Sequence, residues 1–291
     1  MATIDNRAKA GGPLAGHPLL LFFLSSFVLT WGYFWLIWAP LGLPASLIGL
    51  GGFGPAISAF LVLAVTSGTP GILSLLRSIV HWRVGVRWYL LALLGVPLLN
   101  LFAYLVVPGT LSDFVAPDSR LLRVYLSEMA MSLTIGIAPL WEEVGWRGFA
   151  LPCIQRLYGP VRGTLILGAL WGFWHLPFFF GPLAQTGPDS TWLSATIALV
   201  EFSIGLTGLS VVMTWILNNC GGSTLLAILI HAAFDSSGLA LVALFPSTSP
   251  YYLPVHYQTL GIAIVFSIAA LVLIVVTKGD LSYQRYQREV G

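Results

Sequence analysis

Charge is scarce in this sequence. Only 8% of its 291 residues are charged, whereas 57% are hydrophobic. Soluble domains carry about 25% charge because a hydrated surface needs it. A chain this poor in charge cannot cover itself in water, so its solvent is lipid. Short segments of alternating polarity are missing as well, which excludes a transmembrane β-barrel. The formal net charge of +2 excludes a nucleic-acid partner. Cysteine is limited to Cys153 and Cys220, without C-x-x-C spacing, and so indicates nothing about redox compartment. Internal repeats and low-complexity tracts are absent.

What the chain does have is a series of apolar runs of about 18 residues or more, each long enough to cross a hydrocarbon core of roughly 30 Å. Backbone groups in lipid must be satisfied internally, so these runs are helices. The expected fold is an all-α, multi-pass transmembrane bundle of about eight spans, near 18–40, 46–66, 87–107, 124–143, 162–181, 192–217, 222–245 and 258–277. The run Leu19 to Leu41 is too long for a signal-peptide core and lacks a small-residue cleavage site, so it reads as a retained anchor. Residues 1–17 read as a cytoplasmic N-terminal tail, 18–277 as the membrane domain and 278–291 as a cytoplasmic C-terminal tail.

Positive charge sets the orientation. Arg7, Lys9, Arg77, Arg83, Arg87, Arg156, Arg162, Lys278, Arg285 and Arg288 fall on one side of an even number of spans. Only Arg120 and Arg123 fall on the other, in a loop that also holds Asp113 and Asp118. Both termini are therefore expected in the cytoplasm, with the protein in the cell membrane.

Ionisable residues inside a membrane cost several kcal/mol each by most scales and usually mark function. Here they are Glu142, Glu143 and Arg147 in the fourth span, His175 in the fifth, Glu201 in the sixth, and His231 with Asp235 in the seventh. Glu143 and Arg147 are four apart, so they share a helix face and can neutralise each other. Glu142 points about 100° away from Glu143. His231 and Asp235 are four apart, and Trp171 lies one turn before His175. Counted inward from Arg156, Arg162 and Gly222, Glu142, His175 and His231 lie about 21, 20 and 14 Å deep. Three helices thus carry a carboxylate and two imidazoles to similar levels. Taken singly, each histidine is more often a hydrogen-bonded structural residue. Glu201 is balanced between a helix-packing partner and a proton- or substrate-path residue.

Three motifs follow in order: Glu142-Glu143-Val144-Gly145-Trp146-Arg147, Trp171-Gly172-Phe173-Trp174-His175, and His231-Ala232-Ala233-Phe234-Asp235. Over residues 125–245 the chain resembles the CAAX protease and bacteriocin-processing (CPBP) family of intramembrane proteases, related to the CAAX prenyl endopeptidase. That family carries Glu-Glu-x-x-x-Arg, Phe-x-x-x-His and His-x-x-x-Asn/Asp on separate transmembrane helices. Trp171 stands where the family usually has Phe, which keeps an aromatic wall beside His175.

The resemblance implies an intramembrane endopeptidase that cleaves a peptide or protein substrate entering the bilayer. Glu142 would be the general base acting with His175 on a water, and His231 with Asp235 would support the carbonyl oxygen. Glu143, Arg147 and Trp171 would support the site. An Asn at position 235 could donate to an oxyanion, whereas an ionised Asp would repel it. Asp235 must therefore be protonated, orient His231 or bind a cation. Glu142, His175, His231 and Asp235 are ligand types that suit Zn²⁺ with one position left for water. The H-E-x-x-H zinc helix is absent, so the metal rests on ligand type alone. Ser132, Thr134 and Ser203 lie in spans without a Gly-x-Ser-x-Gly elbow, and paired membrane aspartates are missing. Two other classes compete: a proton-coupled transporter, which should show repeated halves, and a non-catalytic scaffold or bacteriocin-immunity protein on the same fold. The sequence leaves the oligomeric state open.

Overall fold

A computed structural model describes residues 16–134, 139–180, 191–246 and 255–290. Every regular element among them is helical. Among the described residues, six helices are long and apolar enough to cross a membrane: α1 (Pro18–Trp38), α2 (Gly49–Thr66), α4 (Val86–Leu105), α8 (Trp192–Asn218), α9 (Thr224–Leu241) and α10, of which Thr259–Val276 qualifies. This is a multi-pass membrane protein. Between these run α3 (Gly68–Ile79), α5 (Ser119–Thr134), α6, which covers 139–158 in three consecutive segments, and α7 (Pro160–Trp174). The element α10 as a whole is Val255–Val276, and α11 is Tyr283–Val290.

The fourth and fifth expected spans take a different form. The stretch 124–143 covers the end of α5, residues 135–138 outside the described set, and only the first turn of α6. Glu142 therefore belongs to the helix that continues to Tyr158. The fifth helix stops at Trp174, and His175 stands at the break with φ −77° and ψ 3°. Pro177 explains this, because it has no N–H and disfavours helix in the residue before it. The last turn tightens, with His175 N–H donating to Gly172 O at 3.1 Å.

Three helices contain wide π-type stretches, Tyr33–Trp38, Leu91–Gly95 and Val144–Ala150. Each ends two residues before a proline: Pro40, Pro97 and Pro152. A proline cannot donate to the carbonyl one turn back, and its ring crowds that carbonyl. Widening the preceding turn relieves both conflicts. The stretch in α6 carries Arg147, and it closes with Leu151 N–H donating to Trp146 O.

Lipid tails are as apolar as leucine, so the helices are held by close packing and interhelical hydrogen bonds. Small residues permit that approach. A methyl group on Gly172 of α7 would come 2.5 Å from Ser203 Cα on α8, and one on Gly168 would come 2.6 Å from Thr207 Cα. Gly145 of α6 lies against the backbone of Pro55 in α2. On the other side of α8, Gly208 lies directly against the Phe266 backbone of α10. Helices α6 and α7 are thereby fixed against α2 and α8, and α9 closes the site against α6.

Arg77, His81, Arg156 and Gly222 line one cavity with Tyr286, so the ends of α3, α6, α8 and α11 lie together. Leu121, beside Arg120 and Arg123, packs with Leu241 and Phe245 at the opposite end of α9. Arg7 and Lys9 lie outside the described residues. The stretch read as a C-terminal tail folds into α11. Its Tyr286 is buried, and Leu281 O accepts from the buried Asn218 amide at 2.9 Å. Asn218 also exchanges hydrogen bonds with Gln155 of α6, at 2.9 and 3.3 Å.

Candidate active site

The adjacent carboxylates of α6 are both buried, yet they face different partners. Glu142 Oε2 accepts from the indole N–H of Trp171 at 2.9 Å. Glu143 Oε1 accepts from Arg147 Nη1 at 2.9 Å and lies 2.8 Å from His231 Nδ1. One residue of helical rotation separates these two environments, as the expected 100° requires.

Arg147 is buried too, and its second arm donates to Ser210 Oγ on α8 at 2.9 Å. An uncompensated cation at this position would be costly. Glu143, Ser210 and the π-face of Trp171 share the compensation, with the guanidinium carbon 3.9 Å from the ring centroid.

His175 keeps its ring in place through Nδ1, 2.9 Å from its own helix's Trp171 O. A carbonyl oxygen only accepts, so Nδ1 carries the hydrogen, and in the neutral ring Nε2 presents its lone pair. Trp174, Phe178 and Phe202 surround the imidazole with centroid distances of 4.9, 5.7 and 5.2 Å. His231 faces a carboxylate at each nitrogen: Glu143 at Nδ1 and Asp235 Oδ2 at 3.5 Å from Nε2. The Asp235 side chain is 39% exposed, against 6% for His231, so it marks the more open edge of the cluster.

Glu142, Glu143, Arg147, His175, His231 and Asp235 thus form one cluster with Trp171, whose ring centre lies 5.2 Å from His231 and 5.9 Å from His175. Glu201 does not join them. Its Oε2 accepts from Thr259 of α10 at 2.8 Å, an interhelical packing bond. Two features escaped the sequence reading. Ser210 sits 63 residues from Arg147 and has no local pattern to mark it. Trp171 was read as a wall, although an indole buried among charges must find an acceptor for its N–H.

Among the described residues, no three His, Cys, Asp or Glu side chains stand together so as to hold a metal ion. The donor types suit zinc, and His175 Nε2 is free to ligate. Glu142 Oε2 and His231 Nδ1, however, are already taken by protein partners. Glu142 Oε1 and His231 Nε2 are the atoms left to face an ion, and among the described residues they are not grouped with a third donor as a ligand set.

A cavity of about 440 Å³ descends from the arginine-rich end to Arg147. Phe149, Leu75 and Leu217 wall it, and it stops short of Glu142.

Residues 126–237, which contain all three motifs, match the family described as type II CAAX prenyl endopeptidase Rce1-like. The match covers 112 of the chain's 291 residues, less than half of it. Over that segment the chain is similar to this family, in agreement with the resemblance read from the three motifs. The chain is also 26% identical over 98 residues to CAAX prenyl protease 2 of Methanococcus maripaludis. That match covers 33% of this chain and 34% of the relative, so the chain spans about a third of the length of the curated protein it matches. The Rce1-like segment runs from α5 to α9, and it includes Ser210 as well as the motif residues.

Proposed function

We propose that the protein is an intramembrane endopeptidase of the CAAX prenyl protease type, which hydrolyses a peptide bond with a water activated by Glu142. The observation that carries this reading is the division of labour between neighbouring carboxylates. Both glutamates are held through one oxygen, but Glu143 Oε1 is shared by the Arg147 guanidinium and His231, with Oε2 buried and unpartnered, whereas Glu142 Oε2 has a single neutral donor, Trp171. Among the described residues its Oε1 has no hydrogen-bond partner.

Peptide hydrolysis needs a nucleophile, a base and a donor for the developing oxyanion. Glu142 Oε1 takes the proton of a water that His175 Nε2 holds as a hydrogen-bond acceptor. The water oxygen attacks the carbonyl carbon, and the oxygen that gains charge is met by Nε2–H of a doubly protonated His231, whose Nδ1–H is held by Glu143. Asp235, 3.5 Å from Nε2, orients that ring by charge, one of the three roles open to it, and leaves the Nε2 hydrogen to the oxyanion. Glu142 returns its proton to the leaving amine. If a Zn²⁺ ion were bound, Glu142, His175, His231 and Asp235 would hold it and it would polarise the carbonyl, but that requires the side chains to regroup. The excess of positive charge assigns the arginine-rich end to the cytoplasm and the cleft to the cytoplasmic half of the cell membrane. The substrate is a peptide or protein tail entering from that side.

The test is cleavage of quenched-fluorescent peptides, lipidated and bare, by the protein in liposomes. Glu142→Gln is expected to lower kcat by at least about 10³-fold, the scale of losing a general base, while millimolar chelator leaves activity intact. Unaltered cleavage by Glu142→Gln overturns the reading. Solute transport without cleavage would favour the proton-coupled class, and a cellular phenotype that survives Glu142→Gln would favour the scaffold.

A further inference from the structure

Beyond the residues that would touch water or substrate, we infer that Trp171 is a positioning residue, and that its indole is aimed at Glu142 by a chain running from Ser210 through Arg147. This inference rests on the peptidase reading for its kinetic consequence, but not for the contact itself.

The geometry is directional at each link. Ser210 Oγ on α8 accepts one arm of the Arg147 guanidinium at 2.9 Å, and Glu143 accepts the other at 2.9 Å. Two acceptors fix the plane of a fork-shaped cation. That plane lies over the indole of Trp171, 3.9 Å from the ring centroid. The opposing constraint comes from His231, whose ring meets the indole at an interplanar angle of 80° with centroids 5.2 Å apart. An indole pinned in this way has one free direction for its N–H, and that direction ends on Glu142 Oε2 at 2.9 Å.

The consequence concerns the other oxygen. A carboxylate on a glutamate chain turns about its last torsion with little resistance. With Oε2 tethered, that torsion is set, and Oε1 is the atom presented to the water. The same residue holds the second arm of the reaction, because Trp171 O accepts from His175 Nδ1 at 2.9 Å. One tryptophan therefore sets the spacing between base and imidazole, through its side chain on one side and its backbone on the other. Trp171 is fully buried, so neither lipid nor solvent competes for the indole N–H.

Phenylalanine keeps an aromatic face and removes the N–H donor together with part of the fused ring; a double variant with Ser210→Ala separates loss of the donor from loss of packing. Trp171→Phe is expected to lower kcat about tenfold with KM within about twofold, the scale of one hydrogen bond to a charged group. Ser210→Ala releases Arg147 one link upstream and is expected to lower kcat about threefold. Because both act on one chain, the double variant should be no slower than Trp171→Phe alone. Multiplying effects would show independent structural damage and overturn the inference. A kcat unchanged in Trp171→Phe would overturn it as well.

The contact is read separately, and in unsubstituted Trp171, by indole ¹⁵N–¹H spectra of the protein in nanodiscs. The Trp171 resonance, assigned by its loss in Trp171→Phe, is expected to move on Glu142→Gln and to stay put on Glu289→Gln. A resonance indifferent to Glu142→Gln overturns the inference even if the protein cleaves peptide. A protein that cleaves nothing yet shows the shift would sink the peptidase reading and leave the positioning chain standing.

Discussion

Glu201 and Glu143 are both carboxylates on helices of the membrane domain, and the protein handles them in opposite ways. Glu201 is half-buried and has one visible partner, the hydroxyl of Thr259 on the neighbouring α10. Glu143 is fully buried and its Oε1 is shared between a guanidinium and an imidazole. A carboxylate that only fastens two helices needs a single donor and an outlet toward the membrane surface or lipid edge. One embedded in a reactive cluster is surrounded by groups that are themselves fixed by further groups. The density of second partners, rather than the presence of charge, separates the site from the scaffold.

That comparison can be broken in four places, with effects that should fall in order. Glu142→Gln, at the reactive end, should abolish cleavage while the protein still unfolds at its normal temperature. Glu143→Gln leaves Arg147 buried without its counter-charge and should cost about 3–5 kcal/mol of stability, read as a large drop in Tm in detergent. Should Tm stay level, Glu143 would resemble Glu201 and the contrast would fail. Gly172→Ala forces α7 away from Ser203 and should cost about 1–3 kcal/mol by overpacking. It should also slow cleavage, because Trp171 and His175 ride on that helix. Glu201→Gln should be mildest, at about 0.6 kcal/mol for one interhelical bond, with kcat within about twofold. A Glu201→Gln protein that loses cleavage would put this residue back on a proton or substrate path.

Much of the cluster was legible in the sequence because helical spacing is rigid. Four-residue intervals put Glu143 with Arg147 and His231 with Asp235, and the scarcity of other membrane charges, of which Glu201 is one, left few ways to combine them. Depth counting brought three helices to one level, although it took no account of where each helix stops. Pro177 moves the end of α7 to Trp174, so His175 is presented at a break rather than from a helix face. Ser210 could not be read, since hydroxyls recur along α8 and only the Gly168 and Gly172 contacts decide which of them turns toward α6. The wide turns had a signal in their prolines, two residues downstream of each, but a span-length argument has no use for local geometry.

The wide turn at Val144–Ala150 takes up one residue more than an α-turn would. The helix on either side of it therefore stays in the phase of a chain one residue shorter, and from that phase Glu142 meets the Trp171 indole. One residue gained in the regular turns nearer Tyr158 would instead swing everything before it by about 100°. Glu143 would then stand where Glu142 stood, with every side chain of the motif still present.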